Sequence, residues 1–235
     1  MPALTDAIVL VTGANGGIGS AFVAEALNRG AAKVYASART PREWGDERIV
    51  PLTLDVTDSA SIKAAVETAG DVTMLINNAG GLPPTASLLD ISEDDIRRNM
   101  EINFFAPLAV ARAFAPTLRR ATGAALIDMH SVASWVAFGG VYSASKAALW
   151  SATNALRLEL APSGVLVTGV HVGYVDTAMA AHSQDAKMRP EDLVAAVLDG
   201  VEADSYEVVA DELSTQVKAG LAAPIEALYT QLARP

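Results

Sequence analysis

"IVLVTGANGGIGSAF", residues 8–22, opens with four apolar residues, breaks at Thr12-Gly13, and passes Gly16, Gly17 and Gly19 before apolar residues resume. A short β-branched run closed by glycine reads as a buried strand. Ile18, Phe22, Ala26 and Leu27 then recur at helical spacing, in a helix that Gly30 ends. A glycine-rich turn between a first strand and a helix lets the backbone approach a pyrophosphate, whose charge rests on the helix N-terminus. The spacing is G-x-x-x-G-x-G rather than G-x-G-x-x-G. The turn by itself points to a nucleotide and goes no further.

The same alternation runs outward from this stretch. Val34–Ala38 is a second apolar run, and Val50, Leu52 and Leu54 alternate in a third, with Pro51 discordant. A helical pattern covers 59–69. Val72–Ile76, Ala124–Met129 and Val165–Val170 read as further strands. Ser92-Glu-Asp-Asp95 is a capping pattern opening a long helix, which Pro107 should bend. "VYSASKAALW" (141–150) begins a helix reaching Leu160, and Pro190 starts another. Glu207–Val209 is a short seventh strand, and the tail from Leu213 is helical. The pattern predicts right-handed βαβ units: one α/β domain over 1–235, a doubly wound parallel sheet of Rossmann type with helices on both faces.

Composition narrows the function. The 235 residues are 51% hydrophobic and carry a net charge of −10, which disfavours nucleic acid and anionic membranes as partners. There is no cysteine, so thiolate chemistry and a disulfide framework are out. His130, His171 and His182 share no metal-ligand spacing, and no metal is expected. His130 and His171 should satisfy local hydrogen bonds near strand ends. No basic leader and no long apolar stretch appears, so a cytoplasmic protein is expected.

Within "VYSASKAALW", Tyr142 and Lys146 stand one helical turn apart on the same face. An ammonium beside a phenol favours the phenolate and brings proton exchange toward neutral pH. Together with the glycine turn, this pair gives the sequence its resemblance to the short-chain dehydrogenase/reductase family. Thr12-Gly13-x-x-x-Gly17-x-Gly19, Asp55-Val56, Asn77-Asn78-Ala79-Gly80, Asn103 in "EINFFAP", Ser131, Tyr142-x-x-x-Lys146 and Gly173-Tyr-Val175-Asp-Thr177 follow that family's motifs in order.

The resemblance implies hydride transfer between a nicotinamide and a small carbonyl or alcohol. Tyr142 would be the general acid or base, and Ser131 a donor to the substrate oxygen. Lys146 would hold ribose hydroxyls and, with the positive nicotinamide ring of the oxidised cofactor, depress the phenol, and Asn103 would hold a water in a relay to Lys146. Gly13, Asn15, Gly17, Ile18 and Gly19 would hold the pyrophosphate side. Asp55 and Val56 would touch the adenine. Asn78, Ala79, Gly80, Gly173, Val175 and Thr177 would complete the cofactor site with Tyr142 and Lys146. The family's pairing helices imply a homodimer or homotetramer.

The sequence departs from the family in three places. The loop "ASWVAFGG" is shorter than usual, which makes Ser134 a rival to Ser131. Trp135 and Phe138 in that loop either line the substrate pocket or pack in the core. Val172 replaces the usual proline before Gly173, and the C-terminal V-D-G-G is absent from "YEVVADELSTQVKAGL". Residues 178–189 should cover the substrate, with Met179 and Met188 as apolar contacts.

Cofactor choice is read from "VYASARTPR". An enzyme selecting NAD places a carboxylate at the end of this strand, and Ala38 stands there. Arg39 follows and suits a 2′-phosphate, with Ser37 as a second donor, so NADP(H) is expected over NAD(H). Two other functions share these features. One is a catalytically idle sensor of NADP(H). The other is a dehydratase or epimerase on the same fold, which usually needs more chain than the roughly 60 residues after Gly173.

Overall fold

The computed structural model describes residues 2–232. The elements are β1 (Ile8–Thr12), α1 (Gly17–Asn28), β2 (Lys33–Ala38), β3 (Ile49–Thr53), α2 (Ser59–Thr68), β4 (Met74–Asn77), α3 (Glu93–Met100), α4 (Ala106–Leu118), β5 (Ala125–Met129), α5 (Val141–Leu160), β6 (Leu166–His171), α6 (Pro190–Glu202), β7 (Glu207–Val209), α7 (Glu212–Gly220) and α8 (Ile225–Leu228). The seven strands form one parallel sheet in the order β3-β2-β1-β4-β5-β6-β7. It is the doubly wound α/β architecture the strand–helix alternation predicts.

The apolar strand sequences follow from burial on both faces. Val9, Val11, Val34, Ala36, Ile76 and Ile127 pack on one side with Phe22 of α1 and Leu193 and Val197 of α6. Leu10, Tyr35, Leu75, Leu126 and Val167 pack on the other with Ile62 of α2, Phe114 of α4 and Leu156 of α5. Each large buried side chain contributes roughly 1.5–3 kcal/mol. Pro51 is accommodated because β3 is an edge strand, where a missing N–H leaves no ladder partner unpaired.

Two features place the site. The chain winds from β1 to β3 in one direction, then crosses back to β4, so the loops after β1 and β4 diverge and open a crevice. The long helix is interrupted by a π turn, Glu101–Phe105, between α3 and α4. Pro107 offers no N–H to the Asn103 carbonyl and its ring crowds that oxygen, so the ladder widens just before it. The bend expected from Pro107 is therefore seated on Asn103. Ser92 caps α3 by accepting the Asp95 N–H at 3.1 Å and donating to the Asp95 carboxylate at 2.7 Å.

Among the described residues, no helix is long and apolar enough to cross a membrane. None of their His, Asp and Glu side chains form a cluster of three or more that could hold a metal.

Candidate active site

The glycine turn is built by close approach. A β-carbon on Gly19 would lie 2.3 Å from the Gly13 carbonyl oxygen, and one on Gly17 would lie 2.8 Å from the Thr177 methyl. Gly13 has φ +67°, the left-handed region that glycine enters without a Cβ clash. Ile18 and Gly19 sit in the first turn of α1. Asn15 Nδ2 donates to the Thr40 carbonyl at 2.9 Å, tying the turn to the loop that carries Arg39.

The loop after β4 is locked against the turn. The Thr12 hydroxyl accepts the N–H groups of Asn78 and Ala79 at 2.9 and 3.0 Å. Asn78 Nδ2 donates to the Thr12 carbonyl at 2.8 Å, so its side chain shapes the cradle from beneath. Next to it, Asn103 Oδ1 accepts the Gly81 N–H at 2.9 Å, and Asn103 Nδ2 donates to the Gly81 carbonyl at 2.8 Å and to Asn99 at 3.1 Å. Both polar ends of the Asn103 side chain are taken, so a water held by Asn103 would rest on its main-chain carbonyl. Gly80 faces the same point: a β-carbon there would lie 3.0 Å from Asn103 Oδ1 and 3.8 Å from Lys146 Nζ.

Lys146 is buried in α5 and donates to the Met129 carbonyl at the end of β5 at 2.7 Å. Burial pulls its pKa down to about 8, with Asp128 acting in the opposite direction. Tyr142 is half-buried at the start of α5. Its phenol is raised above the ordinary value by burial, lowered in part by a hydrogen bond from Ser131, and raised again by Tyr174. In the protein without a bound nicotinamide, burial is the dominant influence and the phenol is raised. The sequence shows the neighbouring cation and hides the desolvation.

The Ser131 hydroxyl donates to the Val172 carbonyl at 3.4 Å. It also caps the short turn that follows β5, accepting the Ala133 N–H at 3.2 Å. The Ser134 hydroxyl is buried, with no hydrogen-bond partner among the described residues. Gly140, with φ +57°, starts α5, and a β-carbon there would strike the Ala86 carbonyl at 2.1 Å, so Tyr142 is aimed by a turn only glycine can make.

Trp135 is buried and stacks on His171 with ring centroids 3.8 Å apart, so it belongs to the core. Phe138 is 62% exposed and meets Tyr229 edge-on at 5.5 Å, while the Tyr229 hydroxyl accepts the Ala137 N–H at 2.9 Å. The C-terminal segment therefore lies over this loop, a contact that only the folded chain reveals.

Val175 is buried, and Tyr174 and Asp176 pin Met188 by backbone hydrogen bonds, closing residues 178–189 into a loop. Met188 is partly buried and packs against the core, and Met179 is 47% exposed. Asp211 holds this region from behind, accepting the Gly173 N–H with one oxygen and the Ser214 N–H at 2.7 Å with the other. The sequence signal for it was the aspartate that follows β7, where V-D-G-G was sought.

At the far end of the crevice, Arg39 is exposed and forms no ion pair with any described residue. Ser37 corrects an expectation. Its hydroxyl is 1% exposed and donates to the Val11 carbonyl at 2.9 Å, so it is committed inside the sheet. Asp55 accepts the N–H and hydroxyl of Thr57 at 2.9 and 2.7 Å, which holds its carboxylate below the usual range, with a smaller contribution from Arg39. Val56 is half-buried beside it.

A glycine cradle at the sheet's switch point, with a serine, a tyrosine and a lysine converging on the strand ends beside it, defines a dinucleotide-dependent class of enzyme. The sequence profile described as short chain dehydrogenase matches residues 7–188, and the chain belongs to the short-chain dehydrogenase/reductase family of oxidoreductases. It is 37% identical over 183 residues to the NADPH-dependent 1-acyldihydroxyacetone phosphate reductase of Schizosaccharomyces pombe, covering 73% of this chain and 61% of that protein. A short-chain dehydrogenase of Burkholderia cenocepacia, solved in complex with NADP, is 34% identical over the whole of both chains with a TM-score of 0.91. The NADPH-bound carbonyl reductase from chicken fatty liver is 28% identical, with 90% of this chain and 96% of that one covered and a TM-score of 0.80.

Proposed function

We propose that the protein is an NADP(H)-dependent carbonyl reductase or alcohol dehydrogenase acting on small aldehydes, ketones or the corresponding alcohols. The observation that carries this reading is the placement of Lys146 beside Gly80 and Asn103, with Tyr142 one helical turn away at the start of α5. The turn fits a pyrophosphate: Gly13, Gly17 and Gly19 let the backbone fold tightly against Ala79, Thr177 and itself at the N-terminus of α1. When bound, the nicotinamide supplies or accepts the hydride.

The chain's own residues handle the proton. Reduction of a carbonyl puts negative charge on its oxygen, and a preorganised donor lowers that barrier. Ser131 donates a hydrogen bond to that oxygen, and Tyr142 donates the proton. A raised phenol is protonated at neutral pH, which is the form reduction needs. Lys146, anchored at Met129, has further N–H groups for ribose hydroxyls. In oxidation Tyr142 takes the proton back.

Arg39 and the uncharged Ala38 support a preference for NADP(H). The partly exposed loop 178–189 supports an open site with broad acceptance of carbonyl compounds. A panel of aldehydes and ketones assayed with NADPH and NADH, following loss of reduced-nicotinamide absorbance, tests the reading. Turnover of several carbonyls with NADPH is expected; none with either cofactor would refute it.

A further inference from the structure

Beneath the site, where β5, β6 and α5 meet, runs a set of buried polar side chains that this chemistry does not use. Asp128, Thr153 and His171 are fully buried and His130 is 4% exposed. They touch end to end. Asp128 Oδ2 is 2.7 Å from Thr153 Oγ1, and Thr153 Oγ1 is 2.9 Å from His130 Nε2. His130 Nδ1 is 3.2 Å from His171 Nε2, and His171 Nδ1 is 3.2 Å from the Ser131 carbonyl oxygen. The fold makes room for this line: a β-carbon on Gly169 would lie 2.6 Å from His130 Cε1.

Counting hydrogens gives the line a direction. The Ser131 carbonyl can only accept, so His171 Nδ1 carries a hydrogen. Burial keeps both imidazoles neutral, holding His171 at about 4 and His130 well below its ordinary value. A neutral ring has one N–H, so His171 Nε2 accepts, His130 Nδ1 donates to it, and His130 Nε2 accepts in turn. The group facing His130 Nε2 is the Thr153 hydroxyl, which gives its single proton there. Donation to the Leu149 carbonyl at 2.9 Å instead would set the His130 lone pair against the Thr153 oxygen. Two oxygens 2.7 Å apart, Thr153 Oγ1 and Asp128 Oδ2, then need a hydrogen between them, and only the carboxyl can supply it. Asn77 Nδ2 is already shared between Asp128 Oδ1 at 2.9 Å and the Pro107 carbonyl at 3.0 Å. Burial acts on Asp128 in the same sense, raising its pKa.

We propose that Asp128 is a neutral carboxylic acid and the donor end of a one-way chain, Asp128 to Thr153 to His130 to His171 to the Ser131 carbonyl, and that this chain positions Ser131 and Lys146. It braces the end of β5, where the Met129 carbonyl accepts from Lys146 and Ser131 follows directly. Lys146 and Arg157 of α5 face Asp128, with Asn77 on β4. At the other end, Glu207 of β7 lies 3.5 Å from His171 Nε2 and is itself paired with Lys218 of α7. A proton shifted along the chain to His171 would bury a carboxylate and an imidazolium together, which desolvation opposes.

The effect on catalysis rests on the roles proposed for Tyr142 and Lys146, whereas the protonation pattern does not. Nitrogen-15 NMR of the imidazoles in the cofactor-free protein separates the two. Both His130 and His171 are expected as Nδ1–H tautomers near neutral pH. Asp128→Asn supplies an amide donor in place of the acid, so tautomers should persist and turnover should stay within about 2-fold. Thr153→Val cuts the chain and should lower kcat roughly 2- to 10-fold, the worth of one hydrogen bond, with the His130 tautomer no longer fixed. An Nε2–H tautomer on His130 in the unmodified protein would overturn the assignment whether or not either variant folds. A Thr153→Val enzyme with unchanged kcat would overturn the positioning role.

Discussion

The Lys146 ammonium lies 5.9 Å from the centre of the Tyr142 ring and is hydrogen-bonded to the Met129 carbonyl, not to the phenol. Burial acts on the two in opposite senses, taking Lys146 down to about 8 and Tyr142 up. Lys146 is therefore the first of the pair to change charge as pH rises. Its ammonium is present below that value and is lost above it. The kcat/KM for NADPH, which reports the free enzyme, is expected to fall above about pH 8. A profile level up to about 10, the ordinary phenol value, would contradict this.

Arg39 is the cation at the end of β2, and with Ser37 buried it acts without help from that hydroxyl. One charge-assisted hydrogen-bonded contact is worth about 1.5–3 kcal/mol, so NADPH should be preferred by roughly 10- to 150-fold. Arg39→Ala should lose most of that preference, and Ala38→Asp should turn it toward NADH by repelling the 2′-phosphate. The ratio of kcat/KM for the two cofactors decides. Equal use of both by the unmodified enzyme would count against the reading.

Acid should destabilise the protein earlier than its carboxylates require. In the unfolded chain the two buried imidazoles titrate near 6.5, whereas folded His171 does so at about 4 and His130 also lies well below 6.5. Between those values the unfolded state binds more protons, so stability rises with pH and is lost as pH falls through that window. Asp46, held at about 2, loses its contribution only at lower pH. Denaturation midpoints measured between about pH 6 and 4.5 should fall, with net uptake of up to about one proton on unfolding, because the two histidines bind protons while the neutral Asp128 gives one up. A flat midpoint over that range would contradict the neutral, buried histidines.

Association is expected through α4 and α5. Phe105 and Leu158 are 50% and 78% exposed, and Ala144 and Ala155 on α5 are exposed small residues that permit close helix approach. Light scattering at micromolar concentration should give at least twice the 24.4 kDa chain mass. A monomer mass would show that these faces stay open.

The parts legible in the sequence were those written as fixed local spacings at strand ends. Gly13, Gly17 and Gly19, the Asn77–Gly80 run and the Tyr142–Lys146 pair each need only their own neighbours to be read. Pro107 announced its bend for the same reason. The parts that were not legible depend on tertiary register. Ser37 reads as a free donor until the β1–β2 pairing sets it against Val11. Trp135 reads equally as a pocket or a core residue until β6 brings His171 beneath it. Asp128 lies inside the strand sequence "ALIDMH", and its partner Thr153 comes from a helix 25 residues on. The sign of the Tyr142 shift depends on burial, which spacing cannot report.

The most direct measurement is Tyr142→Phe, assayed for NADPH-dependent carbonyl reduction alongside NADPH affinity and thermal stability. The substitution removes one hydroxyl and keeps the ring. The account predicts turnover lower by at least ~10²-fold, the low end for loss of a general acid, with cofactor binding and folding nearly unchanged. Turnover near that of the unmodified enzyme would contradict it.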